Sequence, residues 1–439
     1  MSPTTRAVPV SWRRCGLVAL AFWLALCPLA YSPRHSGNVW SRYMTIESLV
    51  ERGTLAVERS PLRPISGSPD LIKAGDHLYS DKPPLLAVLA AGIYGPLYLL
   101  GLRFSGSATQ FVIVNWIMVM AVSGLGSALA VLGIRKLLQS TPLPPLVADI
   151  LALASGFGSQ LLTYGVTFNN HSVAAGLITT AFAIVVSEDH VKKPGIGRFL
   201  AGLLAGIAAG VDLPAGGAIL AILGSWLVLR SRAFPWSFLA GCVGPLIAAA
   251  ALQTLETGSP LPAEMTPALF DFKGSYWESE IGRFKETGPR ARFGLELVVG
   301  PQGWLTVTPV LWLGIVGLCV IALKKVDPLR PLALAIGTLV GILLIYYTWG
   351  VRRTDFSGLS FGTRHLLAVS PLVFAFAMIS TSRMGRALPW AVFLVVWAVG
   401  TVYSIAGMKD PWTRIERRDD MGLAVVKRGT LYPWSSYRR

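Results

Sequence analysis

Asp81 and Lys82 stand side by side, followed by two prolines, where a polar stretch ends and an apolar one begins. A carboxylate can take a proton from an attacking hydroxyl when the two are within hydrogen-bond reach. Lysine and arginine bind phosphate through charge-assisted hydrogen bonds. The pair therefore predicts charged chemistry at the boundary between water and lipid.

Further polar residues lie at the ends of apolar runs or in the loops between them. We expect them on the external side of the membrane, as for Asp81 and Lys82. They are Asp70, Asp76, Asn170, His171, Asp212, Arg352, Arg364 and His365. Acids, histidines and arginines gathered on one face predict a site for a phosphorylated or otherwise anionic ligand. We expect Lys82 and Arg364 to hold the phosphate and Asp81 or Asp70 to act as the base. The other residues are expected to line the site.

Structural roles stay open for the same residues. Asp81 could cap the helix that follows the prolines, and Lys82 could reach lipid phosphates from the membrane surface. Asp70 and Asp76 stand among turn-forming residues, and Asp212 precedes a proline as a helix cap does. No metal-ligand spacing is present, and the four cysteines lie inside apolar runs. No cofactor is expected, and a need for a divalent metal stays open.

Composition assigns the chain to the membrane. Of its 439 residues 53% are hydrophobic and only 14% are charged, against roughly 25% charged in a soluble domain. The net charge of +16 comes from basic residues scattered between apolar runs. Such residues flank membrane helices, so nucleic acid is not expected as a partner.

The apolar runs predict an all-α polytopic membrane protein with about eleven transmembrane helices. Basic links fall on one side only if the run 85–102, which begins with two prolines, is re-entrant or lies on the surface. The N-terminus is then cytoplasmic and the C-terminus external. The predicted regions are an N-terminus and first anchor at 1–31, an external loop at 32–102, a transmembrane bundle at 103–254, an external loop at 255–303, C-terminal transmembrane helices at 304–407 and an external tail at 408–439.

Two segments are expected to serve the site from outside the bundle. Residues from Asn38 to Gly53 have an apolar face opposite Ser41, Thr45 and Ser48, which predicts an amphipathic helix lying along the membrane surface. The loop 255–303 is expected to be an acceptor lid, although its aromatic residues could equally form a belt at the membrane interface. Its aromatic and basic residues are Phe272, Tyr276, Trp277, Arg283, Lys285, Arg290 and Arg292.

The anchor, the surface helix with Arg42-Tyr43, and the aromatic–x–acid–Lys–Pro–Pro entry to the next helix at Tyr79–Pro84 together resemble the first external loop of the GT-C glycosyltransferases. The subgroup of aminoarabinose transferases and protein O-mannosyltransferases is the most similar. The resemblance covers about residues 12–230, and only 38–86 is motif-like.

This resemblance implies transfer of a sugar from a polyprenyl-phosphate carrier to an acceptor on the outer face of the bacterial cytoplasmic membrane. Lys82 matches the phosphate-contacting lysine of that family. The family's catalytic Asp, often followed by Glu, stands three residues before the Arg-Tyr pair. Val39 and Trp40 occupy those positions here, so the base would have moved or been lost.

Two other classes of protein stay open. One is a non-catalytic membrane component of envelope assembly, which the missing acid favours. The other is a transporter or flippase of lipid-linked sugars. That class needs ionisable residues inside its spans or discontinuous helices in matching halves of the chain. Asp149 and Asp212 are the only acids in or beside the apolar runs, and no inverted repeat is visible.

Overall fold

The computed structural model describes residues 11–30, 36–66, 70–187, 194–231, 233–275, 289–350 and 360–412. In these residues the secondary structure is helical except for one two-stranded antiparallel hairpin. The predicted all-α class is therefore confirmed, with that hairpin as a small addition in the first loop.

The chain begins with α1 (Trp12–Leu26) and α2 (Gly37–Arg52), followed by the short α3 (Arg63–Ser66). The hairpin of β1 (Leu71–Ala74) and β2 (His77–Ser80) comes next and leads into α4 (Leu85–Leu99). The remaining α-helices are α5 (Ala108–Val119), α6 (Leu125–Leu137), α7 (Pro145–Phe157), α8 (Gln160–Gly165), α9 (His171–Val186), α10 (Pro194–Val211), α11 (Leu213–Ser231), α12 (Trp236–Thr257), α13 (Arg290–Val299), α14 (Trp304–Val307), α15 (Val310–Leu323), α16 (Arg330–Ile345), α17 (Ser370–Met384) and α18 (Ala387–Lys409).

Six of the described helical stretches are long and apolar enough to cross a membrane, or up to seven if one bent pair forms a single span. The six are Trp12–Leu29, Ala108–Ser140, Leu213–Arg230, Trp236–Thr257, Arg330–Gly350 and Ala387–Lys409. Four shorter apolar helices lie among them, including Leu85–Leu99 from the run expected to be re-entrant or surface-lying. Many large apolar side chains on these helices point outward, as expected of a surface that faces lipid. The count of eleven crossings stays a prediction.

Glycines allow two helices to approach closely. Helix α10 carries Gly202 and Gly206 four residues apart, and a Cβ at Gly202 would lie 2.0 Å from the Phe238 carbonyl oxygen of α12. At Gly206 the corresponding atom is the Cys242 carbonyl oxygen, 2.9 Å away. Small residues at this spacing let membrane helices pack backbone to backbone.

Helix α2 forms the floor of the first loop. It begins at Gly37, one residue earlier than expected, and ends at Arg52. Gly53 caps it with a φ of 67°, the left-handed conformation that glycine adopts readily. Its apolar residues Val39, Tyr43, Met44 and Ile46 are buried, and the polar face is buried as well, at Ser41, Thr45 and Ser48. The hairpin contributes to this cover, because the Ser80 hydroxyl donates to the Ser41 hydroxyl at 3.0 Å.

Candidate functional site

The hairpin brings Asp70 and Asp81 together. Its register pairs Leu71 with Ser80 and Ala74 with His77, so Asp70 and Asp81 stand directly before the first pair and after it. The Asp81 amide donates to the Asp70 carbonyl oxygen at 3.3 Å. The ten residues between them fold back through one turn, which brings both carboxylates to the end of the hairpin nearest α4.

Lys82 lies between these two carboxylates. Its Nζ is 3.0 Å from Asp81 Oδ2 and 3.6 Å from Asp70 Oδ2. Burial lowers the pKa of Lys82, but Asp70, Asp81 and Glu264 raise it more, so the pKa of this ammonium ends above its ordinary value. Lys82 is therefore a permanent positive charge in the working pH range.

Asp81 is 2% exposed, and burial raises the pKa of its carboxyl to about 7 against the opposing influence of Lys82. Its Oδ1 has no hydrogen-bond partner among the described residues. Asp81 does not cap the next helix, since α4 begins at Leu85 without a side-chain cap. The carboxyl thus has one oxygen on Lys82 and one oxygen unpaired.

Arg42 on α2 joins the site, although no site role was predicted for it. It is 2% exposed, donates to Asn170 Oδ1 at 2.9 Å, and has an Nε without a partner in the described structure. It lies in electrostatic range of Asp81, Asp70, Asp212 and Arg364. Burial and Arg364 lower the pKa of Arg42 to about 10, so it stays charged near neutral pH.

A second cluster joins the beginnings of two helices. His171 at the start of α9 and Asp212 just before α11 are 2.7 Å apart, from Nδ1 to Oδ2. The His365 ring contacts the His171 ring edge to face, with centroids 5.3 Å apart. It also stacks on Tyr347 at 4.8 Å. Burial, His171 and Arg364 lower the pKa of His365 well below its usual value, so this imidazole is neutral.

Arg364 is held in place by the segment before it. The Phe361 carbonyl oxygen accepts from Tyr164 Oη at 2.8 Å and from Gln160 Nε2 at 3.0 Å. The guanidinium of Arg364 lies over the Trp412 ring, 5.2 Å from its centroid, and its Nε has no partner among the described residues. Gly362 adopts φ 70°, which glycine tolerates best.

The described part of the predicted lid brings the charge of Glu264 to the site. Glu264 lies in electrostatic range of Lys82 and Asp81, and the turn Pro267–Phe270 packs against β1. Phe272, Arg290 and Arg292 are described, and Tyr276, Trp277, Arg283 and Lys285 lie outside the described residues.

The structure brings together eight of the ten predicted site residues: Asp70, Asp81, Lys82, Asn170, His171, Asp212, Arg364 and His365. Asp76 is not among them, because it is exposed in the hairpin turn, at the end opposite Asp81. Arg352 lies outside the described residues.

The two positions where the related family carries its catalytic acid, Val39 and Trp40, are packed against other residues here. Val39 is fully buried, and Trp40 stacks on Phe111 with ring centroids 5.6 Å apart. Among the described residues, no three His, Cys, Asp or Glu side chains are grouped so that they could hold a metal ion. The acidic chemistry of the site therefore comes from the hairpin, the lid and Asp212.

Comparison with solved structures identifies the fold. ArnT from Cupriavidus metallidurans bound to undecaprenyl phosphate is similar at 15% identity with a TM-score of 0.52, over 88% of this chain and 62% of that one. The Archaeoglobus fulgidus oligosaccharyltransferase in complex with Zn and sulfate is similar at 15% identity with a TM-score of 0.52, over 90% of this chain and 53% of that one. The chain shares the fold of these two GT-C membrane glycosyltransferases, and the predicted GT-C resemblance is confirmed at the level of the fold.

This chain spans less than two thirds of the length of either protein. No family model matches the sequence, and no curated protein matches it.

Proposed function

We propose that this protein transfers a sugar from a polyprenyl-phosphate carrier to a hydroxyl acceptor at the outer face of the bacterial cytoplasmic membrane. The observation that carries the proposal is the meeting of three cations from separate parts of the chain. Arg42 comes from α2, Lys82 from the end of the hairpin and Arg364 from the turn before α17. Arg42 lies in electrostatic range of Arg364. His365, next to Arg364 in the sequence, lies in electrostatic range of Lys82.

Buried cations in proteins are normally paired, since an unpaired charge in a low-dielectric site costs several kcal/mol. Here Arg42 and Arg364 each keep a buried Nε without a hydrogen-bond partner among the described residues. Two unused guanidinium donors beside a lysine form a fitting site for the oxygens of a phosphate. Stabilisation of the charge that develops on the leaving phosphate is the largest contribution such a site can make.

The membrane setting fits a lipid carrier. Helix α4, which follows Lys82, exposes Leu89 and Leu99, and α11, which follows Asp212, exposes Leu213, so a polyprenyl tail can lie in lipid while its phosphate reaches the cations. ArnT was solved with undecaprenyl phosphate, which supports a polyprenyl phosphate as the partner here. The eleven crossings, the cytoplasmic N-terminus, the external C-terminus and the acceptor lid belong to the same proposal.

A proton acceptor is needed when the acceptor hydroxyl attacks the sugar. Asp81 and Asp70 are the acids proposed from the sequence, and both sit beside Lys82. The absence of an acid at Val39 and Trp40 favours one second candidate, a non-catalytic membrane component that binds the lipid carrier without transferring its sugar.

A transfer assay separates the two candidates. The purified protein in lipid nanodiscs receives a polyprenyl-phosphate sugar with a labelled sugar, together with bacterial envelope glycans and lipids as acceptors. An enzyme releases free polyprenyl phosphate and labels an acceptor, and the Arg364→Met variant does neither. Binding of the carrier without release of polyprenyl phosphate identifies the non-catalytic component, and no binding at all rejects both candidates.

A further inference from the structure

The pair His171 and Asp212 has the geometry of a base and its orienting carboxylate. The two residues lie 41 positions apart and meet only because α9 and α11 begin on the same side of the bundle. Both side chains are nearly buried, at 8% and 3% exposure. A carboxylate only accepts hydrogen bonds, so Nδ1 of His171 carries the proton and donates it to Asp212 Oδ2.

This tautomer leaves Nε2 of His171 with a lone pair. Nε2 makes no hydrogen bond to any residue of the described structure. An imidazole fixed by a carboxylate on one nitrogen and open on the other is the arrangement in which histidine takes a proton, since the carboxylate stabilises the imidazolium that forms.

The dyad adjoins the phosphate site. Asn170 precedes His171 and accepts from Arg42, and His171 lies in electrostatic range of both Arg42 and Arg364. Among the described residues, the other titratable groups that face the dyad are His365, in ring contact with His171, and Tyr346 and Tyr347, in electrostatic range of Asp212.

Asp81 is poorly suited to be the base once the donor is bound. Its carboxyl already has a pKa raised to about 7, and an anionic phosphate on Lys82 would raise that pKa further, because like charges disfavour ionisation. Asp81 then carries a proton at neutral pH and cannot accept another. The imidazole is neutral as a base, and the same phosphate favours the imidazolium that it becomes.

We propose that His171 is the general base of the transfer reaction and that Asp212 is its positioning residue, an inference that rests on the proposed function. Nε2 takes the proton of the acceptor hydroxyl while the hydroxyl oxygen bonds to the anomeric carbon. The bond from that carbon to the phosphate oxygen breaks, and polyprenyl phosphate leaves with the electron pair. Arg42, Lys82 and Arg364 hold the leaving phosphate.

The test compares His171→Gln and Asp212→Asn with His77→Gln, a matched control whose ring is 59% exposed on the hairpin and pairs with Glu58. Single-turnover transfer and binding of polyprenyl phosphate are measured for each variant from pH 5 to 9. We expect His171→Gln to lose about 100- to 10,000-fold in the transfer rate while binding changes less than threefold. In wild-type protein the transfer rate should fall toward acid pH, and His171→Gln should lose this pH dependence. Asp212→Asn should lower the transfer rate at least about tenfold, and His77→Gln should match the wild type.

Chemical rescue guards against a merely structural effect. His171→Gly opens space for free imidazole, and we expect added imidazole to restore part of the lost rate. Failure of rescue in a variant that still binds polyprenyl phosphate overturns the assignment, as does His171→Gln with wild-type transfer or with binding lost in parallel. A wild-type protein that transfers no sugar overturns the proposed function and this inference together, whereas an active His171→Gln variant overturns the inference alone.

Discussion

Replacing Lys82 by methionine tests the phosphate site at the residue that organises it. The substitution keeps most of the side-chain volume and removes one positive charge. In the structure Nζ contacts Asp81 Oδ2 at 3.0 Å and Asp70 Oδ2 at 3.6 Å. The change therefore has two separable effects, one on ligand binding and one on the carboxyls left behind.

The effect on binding follows from one lost charge-assisted hydrogen bond. Such a bond contributes about 1.5–3 kcal/mol, which corresponds to a polyprenyl phosphate affinity about 10- to 150-fold weaker. The effect on folding depends on pH. Without Lys82 the pKa of Asp81 rises above 7, so the buried carboxyl is neutral at lower pH and costs little. Above that pKa it must ionise unpaired, and removing one member of a buried pair then costs about 3–5 kcal/mol.

Binding is measured by calorimetry in nanodiscs and stability by thermal unfolding at pH 6 and pH 9. Lys73→Met is the matched control, since Lys73 is exposed on β1 of the same hairpin. We expect Lys82→Met to bind weakly at both pH values and to lose stability only at pH 9. Adding Asp81→Asn is expected to restore stability but not binding. Wild-type affinity in Lys82→Met, or equal losses in Lys73→Met, refutes this account of the site.

Three further results are expected. A phosphodiester donor does not titrate near neutrality, but it binds best when Asp81 is protonated. Its affinity should therefore fall as pH rises through about 7, by up to about tenfold per pH unit. Asp81→Asn should abolish this pH dependence in the same calorimetric titration. Arg42→Lys should slow transfer about tenfold or more, since lysine lacks the planar fork of donors, and a normal turnover rate would show that the guanidinium is dispensable. Gly362→Ala should lower the free energy of unfolding by about 1–3 kcal/mol, because its φ is 70° and its Cβ would lie 2.1 Å from Gln160 Nε2, whereas Gly217→Ala, with 3.8 Å of clearance, should not.

The sequence predicted the membrane class and most helices because long apolar runs carry that information directly. It did not predict where the runs break. Residues 145–164 form one apolar run in the sequence, but in the structure this run divides into α7 and α8, and the Ser159 hydroxyl accepts from the Leu161 amide at the start of α8. The apolar run 304–323 divides at Thr308-Pro309. The helical segments Arg290–Val307 and Val310–Leu323 on either side are bent by 103° relative to each other. A turn inside an apolar run depends on neighbouring helices, which hydropathy does not record.

Site residues were predictable where local sequence positions them. Asp81 and Lys82 were predicted from one motif. Their contact with Asp70 was also predictable, because the two residues Gly75-Asp76 form a tight turn between two short strands. Arg42 was not predicted as a phosphate-binding residue, because its burial depends on the loop that covers α2. The bond between His171 and Asp212 joins two helices and exists only in the packed bundle.

The most direct test of the central claim is an experimental structure of the protein in nanodiscs with undecaprenyl phosphate. The account predicts phosphate density within hydrogen-bond distance of Lys82 Nζ and of the guanidinium groups of Arg42 and Arg364, with the polyprenyl tail extending into the lipid. Phosphate density on another face of the bundle, with these three side chains still paired only to protein, would contradict it.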